Sequence, residues 1–280
     1  MNSNTNNLSS AYEVLDNQFG TRSGMRRYKY YIHRRFYDFL YDLRLGLRAN
    51  KVADLADKSP RRSVLVATMV VPGREKKLEE LIESFKKTRH NIVVDRIKIE
   101  NRGKLENVNL ILHRHDLAEF DYTIVADDDV IIPPRAIDLL IGAAEAFDLD
   151  IFQPAHKFYS YSSYLVTERR WSSLARITNF VEVGPITLFR RSVYDSVFPF
   201  PKSKYGWGID HFWPVLASQK GWRMGVVDCV PIRHYRPVGK SYNSAEARQE
   251  AAEYLAENGF IQREKMFITK QIFRDYQGSR

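Results

Sequence analysis

Tyr122-Thr-Ile-Val-Ala-Asp-Asp-Asp-Val130 is the stretch whose reading decides the fold. Tyr, Thr, Ile and Val fit a pleated surface, and the apolar run is short, so residues 122–126 predict a buried strand. Three consecutive carboxylates, Asp127, Asp128 and Asp129, follow at once. An unpaired buried carboxylate is prohibitively costly, which places the three at the strand's C-terminal edge. Open α/β sheets bind ligands at that edge. Adjacent carboxylates repel, and a divalent cation is their usual compensator. Taken alone, the same residues also suit an acidic turn that caps the following helix.

The flanking sequence favours a sheet. Upstream, residues 63–71 read as a first core strand ending at Pro72-Gly73, and residues 74–87 as a helix with Leu78, Leu81, Ile82 and Phe85 on one face. A second strand over 92–99, a turn at Asn101-Arg-Gly103 and a helix from Lys104 to about His115 lead to the acidic strand. Alternating strands and helices are the pattern of a parallel sheet covered on both faces. Downstream, residues 133–147 predict a helix and 151–155 a short strand. Residues 180–189 predict a strand interrupted by Gly184-Pro185. A helix over 211–220, a strand over 222–230 and a polar helical segment from 244 to about 277 complete the chain. Neither G-x-G-x-x-G nor G-x-x-x-x-G-K-[ST] occurs, which excludes a dinucleotide fingerprint and a P-loop.

Composition narrows the classes. The 280 residues suit one large domain with an appendage, and 44% hydrophobic with 28% charged residues is ordinary for a globular protein. The formal net charge of +9 points to an anionic partner. Cys229 is the sole cysteine, so a disulfide framework and a cysteine zinc site are excluded. No apolar run approaches the roughly 20 residues of a membrane span, and no signal-peptide core is present; a cytoplasmic location is expected. Residues 1–23 read as a polar, partly disordered tail. Residues 25–48 are basic and aromatic, with Ile32, Phe36, Phe39, Leu40 and Leu43 at helical spacing. Such a helix suits an anionic membrane surface at the inner face of the cytoplasmic membrane; the alternative, and the more usual role of an amphipathic helix, is packing on the catalytic domain or a second subunit. No nucleic-acid reader motif accompanies the charge, so no nucleic-acid partner is expected. The expected division is a tail (1–23), a basic helical segment and linker (24–60), a catalytic domain (61–243) and a helical extension (244–280).

In this order the features resemble a nucleotide-sugar glycosyltransferase of the GT-A fold, in the large inverting family that includes many bacterial polysaccharide and cell-envelope transferases. The resemblance runs from about Ser63 to Tyr242. It implies an α/β, Rossmann-like, mostly parallel sheet flanked by helices, here preceded by an N-terminal amphipathic helical segment. It also implies Mn²⁺- or Mg²⁺-dependent transfer of a sugar from a nucleoside-diphosphate donor to a glycan or lipid-linked acceptor, with inversion. The family's opening strand and turn match Val64 to Glu75, which makes Val71, Pro72, Gly73 and Arg74 candidates for nucleotide binding. Its lysine-bearing helix matches Gly103 to Asn109, with Lys104 at the nucleotide or diphosphate. Its Asp-x-Asp motif matches the triplet: Asp129 on the metal, Asp127 on metal or ribose, Asp128 on the nucleotide side. Its Gly-Glu-Asp loop is similar to Gly208-Ile-Asp210, although Ile209 replaces the Glu, and the Tyr-Asn pair common after the first strand is missing. Its late strand followed by His matches Val226 to His234.

These positions have physical tasks. A diphosphate leaving group needs its developing charge stabilised. Carboxylates and neutral imidazole suit the metal that does so, hence His234 as a further ligand; a structural hydrogen bonder is the alternative. Arg233, Arg236 and Lys240 are candidates for diphosphate. Asp210 is the candidate general base for the acceptor hydroxyl, against a plain N-cap role. Trp207 is either an acceptor-stacking ring or a core aromatic, and Gly208 lets the backbone approach closely. Glu182 lies in an apolar run and needs a partner or the acceptor pocket; His156 and Gly184 are assigned to the acceptor side. Residues 159–170 read as a mobile acceptor loop, with Arg169 or Arg170 for a lipid-linked phosphate. Two competing readings remain. A nucleotidyltransferase needs more than the meagre Pro72-Gly-Arg74 after the first strand. A non-catalytic membrane-surface adaptor leaves Asp127–Asp129 and Asp210 unexplained.

Overall fold

Strand β1 (Ser63–Val70) has no polar face: its residues from Val64 to Met69 are buried. A strand of this kind needs cover on both sides. The computed structural model, which describes residues 2–15, 24–237 and 243–276, supplies it. Helix α4 (Glu75–Lys86) turns Leu78, Leu81, Ile82 and Phe85 inward, and α5 (Lys104–Leu112) buries Leu105, Val108 and Ile111. Leu81 and Phe85 pack in one hydrophobic cluster with Val64 and Val66, while Leu105, Val108 and Ile111 pack in another with Leu65 and Ala67. On either side of β1 lie β2 (Asn91–Lys98) and the fully buried β3 (Tyr122–Ala126), both parallel to it.

The second half adds β4 (Val130–Ile131), α6 (Ala136–Phe147), β5 (Ile151–His156), β6 (Ala175–Thr178), β7 (Ile186–Arg190), α7 (Tyr194–Val197), α8 (Ile209–Lys220), β8 (Met224–His234), α9 (Ser244–Asn258), α10 (Arg263–Met266) and β9 (Thr269–Phe273). The sheet runs β2-β1-β3-β7-β5-β8-β6-β9, with β4 on β8. β5 and β8 are parallel; β3–β7, β7–β5, β8–β6, β6–β9 and β4–β8 are antiparallel, so the sheet is mixed. The N-terminal helices are α1 (Asn2–Val14), α2 (Gly24–Gly46) and α3 (Ala49–Lys58).

Several sequence expectations shift. Within the polar tail, residues 2–14 are helical, and Ala11 packs with Ala251, Ala252 and Leu255 of α9; residues 16–23 lie outside the described residues. The linker expected before residue 61 is largely the helix α3, because Val52, Leu55 and Ala56 bury a short apolar face. Residues 180–185 do not continue β7; Thr187 Oγ1 donates to Glu182 O and accepts from Gly184 N, folding the stretch into a loop. β8 continues to His234, four residues past the expected end, because β4 pairs with it and aligns Val130 with His234. In the C-terminal segment α9 ends at Asn258, the short α10 follows, and β9 then joins the sheet edge at β6.

Residues 157–172, expected to be mobile in large part, are held by α2. Asp38 accepts from the N–H groups of Phe158 and Tyr159 at 2.9 and 2.8 Å, and Asp42 pairs with Lys157 and Arg169, each at 2.7 Å. Arg34 pairs with Glu168 at 2.6 Å. Arg169 is buried against these acids. From the other side, buried Asp228 grips Arg176 and the N–H of Arg170.

Candidate active site

Thr68 of β1 lies opposite Ala126 of β3, so the 71–74 turn and the acidic triplet leave the sheet at the same edge. The pairing of β4 with β8 brings His234 to that edge. Each carboxylate there meets its own basic side chain. Asp127 is 2.6 Å from Lys104 Nζ, Asp128 is 3.0 Å from Arg74, and Asp129 Oδ1 is 3.0 Å from His234 Nε2. Arg74 also lies 3.9 Å from Asp129. The repulsion inherent in three adjacent acids is therefore met by protein side chains.

His234 is held on three sides. Its backbone N–H donates to Ser160 Oγ at 2.9 Å, its carbonyl accepts from Tyr161 N at 2.9 Å, and its ring Nδ1 lies 3.0 Å from Tyr161 O. A carbonyl only accepts, so Nδ1 carries hydrogen and Nε2 is the atom presented to Asp129. Burial alone would lower the His234 pKa, but the bond to Asp129 and its charge outweigh burial and raise it. For Asp129, burial pushes up, while His234, Lys104 and Arg74 together bring the carboxyl below its ordinary value. For Asp128, burial wins over Arg74 and the pKa rises.

The donor set bears on a metal. Asp129 Oδ1 is buried with no hydrogen-bond partner other than the His234 ring it faces. A carboxylate oxygen and an imidazole nitrogen meeting at one point suit Mn²⁺. Among the described residues, no three His, Cys, Asp or Glu side chains are grouped around a shared point. The pair thus fits a cation whose remaining ligands come from outside the chain. Asp127 is engaged with Lys104 instead.

Loop 182–185 joins this edge to Asp210. Pro185 O accepts from Asp127 N at 2.7 Å, and Val183 O accepts from Lys104 Nζ at 3.3 Å. A Cβ on Gly184, whose φ is +119°, would lie 2.5 Å from Lys104 Nζ and 3.0 Å from Asp127 Oδ2. The glycine makes room for that ion pair. One residue earlier, Val183 N donates to Asp210 Oδ2 at 3.2 Å. Asp210 Oδ1 is 2.7 Å from His211 Nδ1, and His211 Nε2 is 3.1 Å from Tyr164 OH. The N-cap alternative for Asp210 fails: Gly208 is the N-cap of α8 and Asp210 sits inside the helix. Glu182 Oε2 lies 3.4 Å from His156 Nε2 without a hydrogen bond, and the other His156 nitrogen is 3.1 Å from Ser160 Oγ. Ser160 thereby contacts both His156 and His234.

The other candidates make contacts of their own. Trp207 packs with Leu15, Phe212 and the small residues of α9, and a Cβ on Gly208 would meet Ala251 at 3.0 Å. The close approach at Gly208 is to helix α9. Arg233 stacks over Tyr159 at 4.6 Å, Arg236 is exposed, and Lys240 lies outside the described residues. Val71, Pro72 and Gly73 form the turn that delivers Arg74. A surface cleft of about 450 Å³ near His113, His115 and Tyr194 lies at the opposite strand ends and contains none of these residues. Ser160, Tyr161, Tyr164, His211 and Gln153 also contact these residues; the first three fall within 159–170, read as an acceptor loop, and sequence reasoning missed His211 and Gln153. Only Gln153 carried a signal: an amide in a wholly buried strand must have a partner, here the Glu182 N–H at 2.6 Å.

No family model and no curated protein matches the chain. Solved structures do. The mannosyltransferase PcManGT from Pyrobaculum calidifontis, in complex with GDP-Man and Mn²⁺, is 15% identical and superimposes with a TM-score of 0.50, covering 85% of this chain and 78% of its own. TarS from S. aureus with UDP-GlcNAc is 15% identical at a TM-score of 0.45, covering 66% and 62%. Drosophila β1,4-galactosyltransferase 7 with xylobiose is 12% identical at 0.44, covering 68% and 80%. The mixed sheet, its helical cover and the mannosyltransferase superposition together give the conclusion that this chain has the GT-A fold of nucleotide-sugar glycosyltransferases.

Proposed function

We propose that the protein is a metal-dependent glycosyltransferase that moves a sugar from a nucleoside-diphosphate-sugar to a glycan or lipid-linked acceptor, with inversion. The observation that carries this reading is the Asp129–His234 contact at the sheet edge, flanked by Lys104 and Arg74. Asp129 and His234 would hold Mn²⁺ or Mg²⁺, which when bound stabilises negative charge on a departing diphosphate. Lys104 and Arg74 are placed to trade their carboxylates for diphosphate oxygens, with the 71–73 turn beside the nucleotide. Asp210 takes the proton of the acceptor hydroxyl as its oxygen bonds to the anomeric carbon and the carbon–diphosphate bond breaks. Each Asp210 oxygen accepts one hydrogen bond and keeps a lone pair for that proton.

A second assignment of the base rests on Glu182. Its Oε2 lacks a hydrogen-bond partner, and its side chain is 14% exposed against 8% for Asp210. The motif resemblance supports an acceptor from polysaccharide or cell-envelope synthesis, on the cytoplasmic side of the membrane. The test is release of nucleoside diphosphate from a panel of nucleotide sugars, with Mn²⁺, with Mg²⁺ and with chelator. Turnover that requires metal and is lost in Asp129→Asn supports the reading. Turnover indifferent to both overturns it, and pyrophosphate release from nucleoside triphosphates would point to a nucleotidyltransferase.

A further inference from the structure

Helix α2 meets the rest of the protein with its polar side. Arg34, Asp38 and Asp42 bind the 157–169 segment, and Tyr41 packs edge-on against Phe158 and Trp171. The opposite side carries Ile32, Phe36, Phe39 and Leu43, with Leu47 just past the helix end. Positions three and four apart on a helix form one stripe. All five side chains are more than half exposed, from 53% at Ile32 to 75% at Leu47. A surface helix ordinarily turns such a stripe to the core; here the orientation is inverted.

The border of the stripe says what covers it. Arg35 and Arg44 are exposed beside it. The helix has two acids, Asp38 and Asp42, and both are paired with Arg169. Trp171, 47% exposed, lies under the Arg44 guanidinium, 6.0 Å from it. A symmetric pairing of two copies would bring the same arginines together in a chain of net charge +9, and like charges in an interface are costly. An anionic lipid surface suits both features: the apolar stripe enters the headgroup–acyl boundary, while arginines and an aromatic rim stay among the headgroups. No helix among the described residues is long and apolar enough to cross a membrane. The helix would lie in the interface.

We infer that α2 docks the protein on an anionic lipid surface through the Ile32–Phe36–Phe39–Leu43–Leu47 stripe. The inference is independent of the transferase reading, because docking is measured without donor or metal. Full-length protein is sedimented with phosphatidylcholine vesicles that contain or lack phosphatidylglycerol. The wild type is expected to bind the anionic vesicles at least about tenfold more tightly than the neutral ones, and Phe36→Ser/Phe39→Ser/Leu43→Ser to lose about tenfold or more. An unchanged melting curve certifies the fold of the variant; if it melts early, Leu47→Ser alone replaces it, with a smaller loss expected. Arg35→Glu/Arg44→Glu is expected to abolish the preference for anionic vesicles. Absence of wild-type binding, or variants that bind as the wild type does, overturns the inference. So does a wild-type dimer by light scattering that the triple variant converts to monomer, since the stripe would then belong to a second copy.

Discussion

Asp129 Oδ1 and His234 Nε2 face each other at 3.0 Å, while the other His234 nitrogen is spent on the carbonyl of Tyr161. The ring is thus fixed in tautomer and direction, and one nitrogen is left for whatever sits beside Asp129. Asp129→Asn and His234→Ala should each abolish stabilisation by Mn²⁺ together with a nucleoside diphosphate. In the wild type, ligand at about 100 times its Kd adds about 2.7 kcal/mol. Differential scanning fluorimetry reads the shift, and a variant that keeps it removes that residue from the site.

Gly184 adopts φ +119° against the Lys104–Asp127 pair. Gly184→Ala places a methyl group into that pair in a conformation unfavourable to alanine. The expected cost is about 1–3 kcal/mol of stability, with loss of donor turnover as Lys104 is displaced. Urea unfolding and nucleoside diphosphate release measure the two effects separately.

Asp210 and Glu182 make different predictions. Loss of a general base costs about 10²–10⁴ in rate. Asp210→Asn should lower transfer to an acceptor by that amount while leaving donor affinity nearly unchanged, and Glu182→Gln should have the smaller effect. The reverse ranking would assign the base to Glu182. His211→Ala, which removes the ring bonded to Asp210, should lower the rate of transfer by less than Asp210→Asn does, with donor affinity unchanged.

His90 gives a pH test away from the site. Burial lowers its pKa below the ordinary value, and its Nδ1 accepts from Arg62 N at 3.1 Å. The unfolded chain takes up a proton near pH 6.5 that the folded chain refuses. Stability should therefore fall as pH drops below about 6.5, with the loss ending once pH passes the depressed folded value. His90→Asn should show a weaker dependence over the same window in urea titrations at stepped pH.

Arg176 and Asp228 form a buried pair, with side chains 3% and 0% exposed. Removing one partner of a buried pair costs about 3–5 kcal/mol. Asp228→Asn should lose that much and also loosen residues 166–170, because Arg176 donates to Val166 O and Glu168 O. Hydrogen exchange across that segment reports the loosening.

The first half of the sheet was legible in the chain because periodicity alone identifies β1, α4, β2, α5 and β3, and because three acids after an apolar run must sit at a strand end. The metal-type pairing was legible as residue types: Asp129 and His234 were both singled out. What the sequence concealed depends on contacts between distant positions. Asp38 holds the N–H groups of residues 120 and 121 positions away, and no local pattern records that. The apolar residues of α2 read correctly as one stripe, but whether it faces the core or the solvent is decided by the charged side of the helix. β9 was read as helix because Thr269-Lys-Gln-Ile-Phe273 is short and half charged or polar, as edge strands often are. Trp207 and Gly208, candidates for acceptor contact, pack against α9, in line with the core-aromatic alternative for Trp207.

Three carboxylates at the sheet edge are each taken up by a protein side chain, Lys104, Arg74 and His234, before any ligand arrives. Whatever binds there must enter by exchange. Under the proposed function Asp129 and His234 would hold the divalent ion, and phosphate oxygens would take Lys104 and Arg74 from the acids that hold them. Partner swapping of this kind changes the local charge little, so donor affinity should depend on salt only weakly, unlike that of a bare acidic cluster gathering ions from solution.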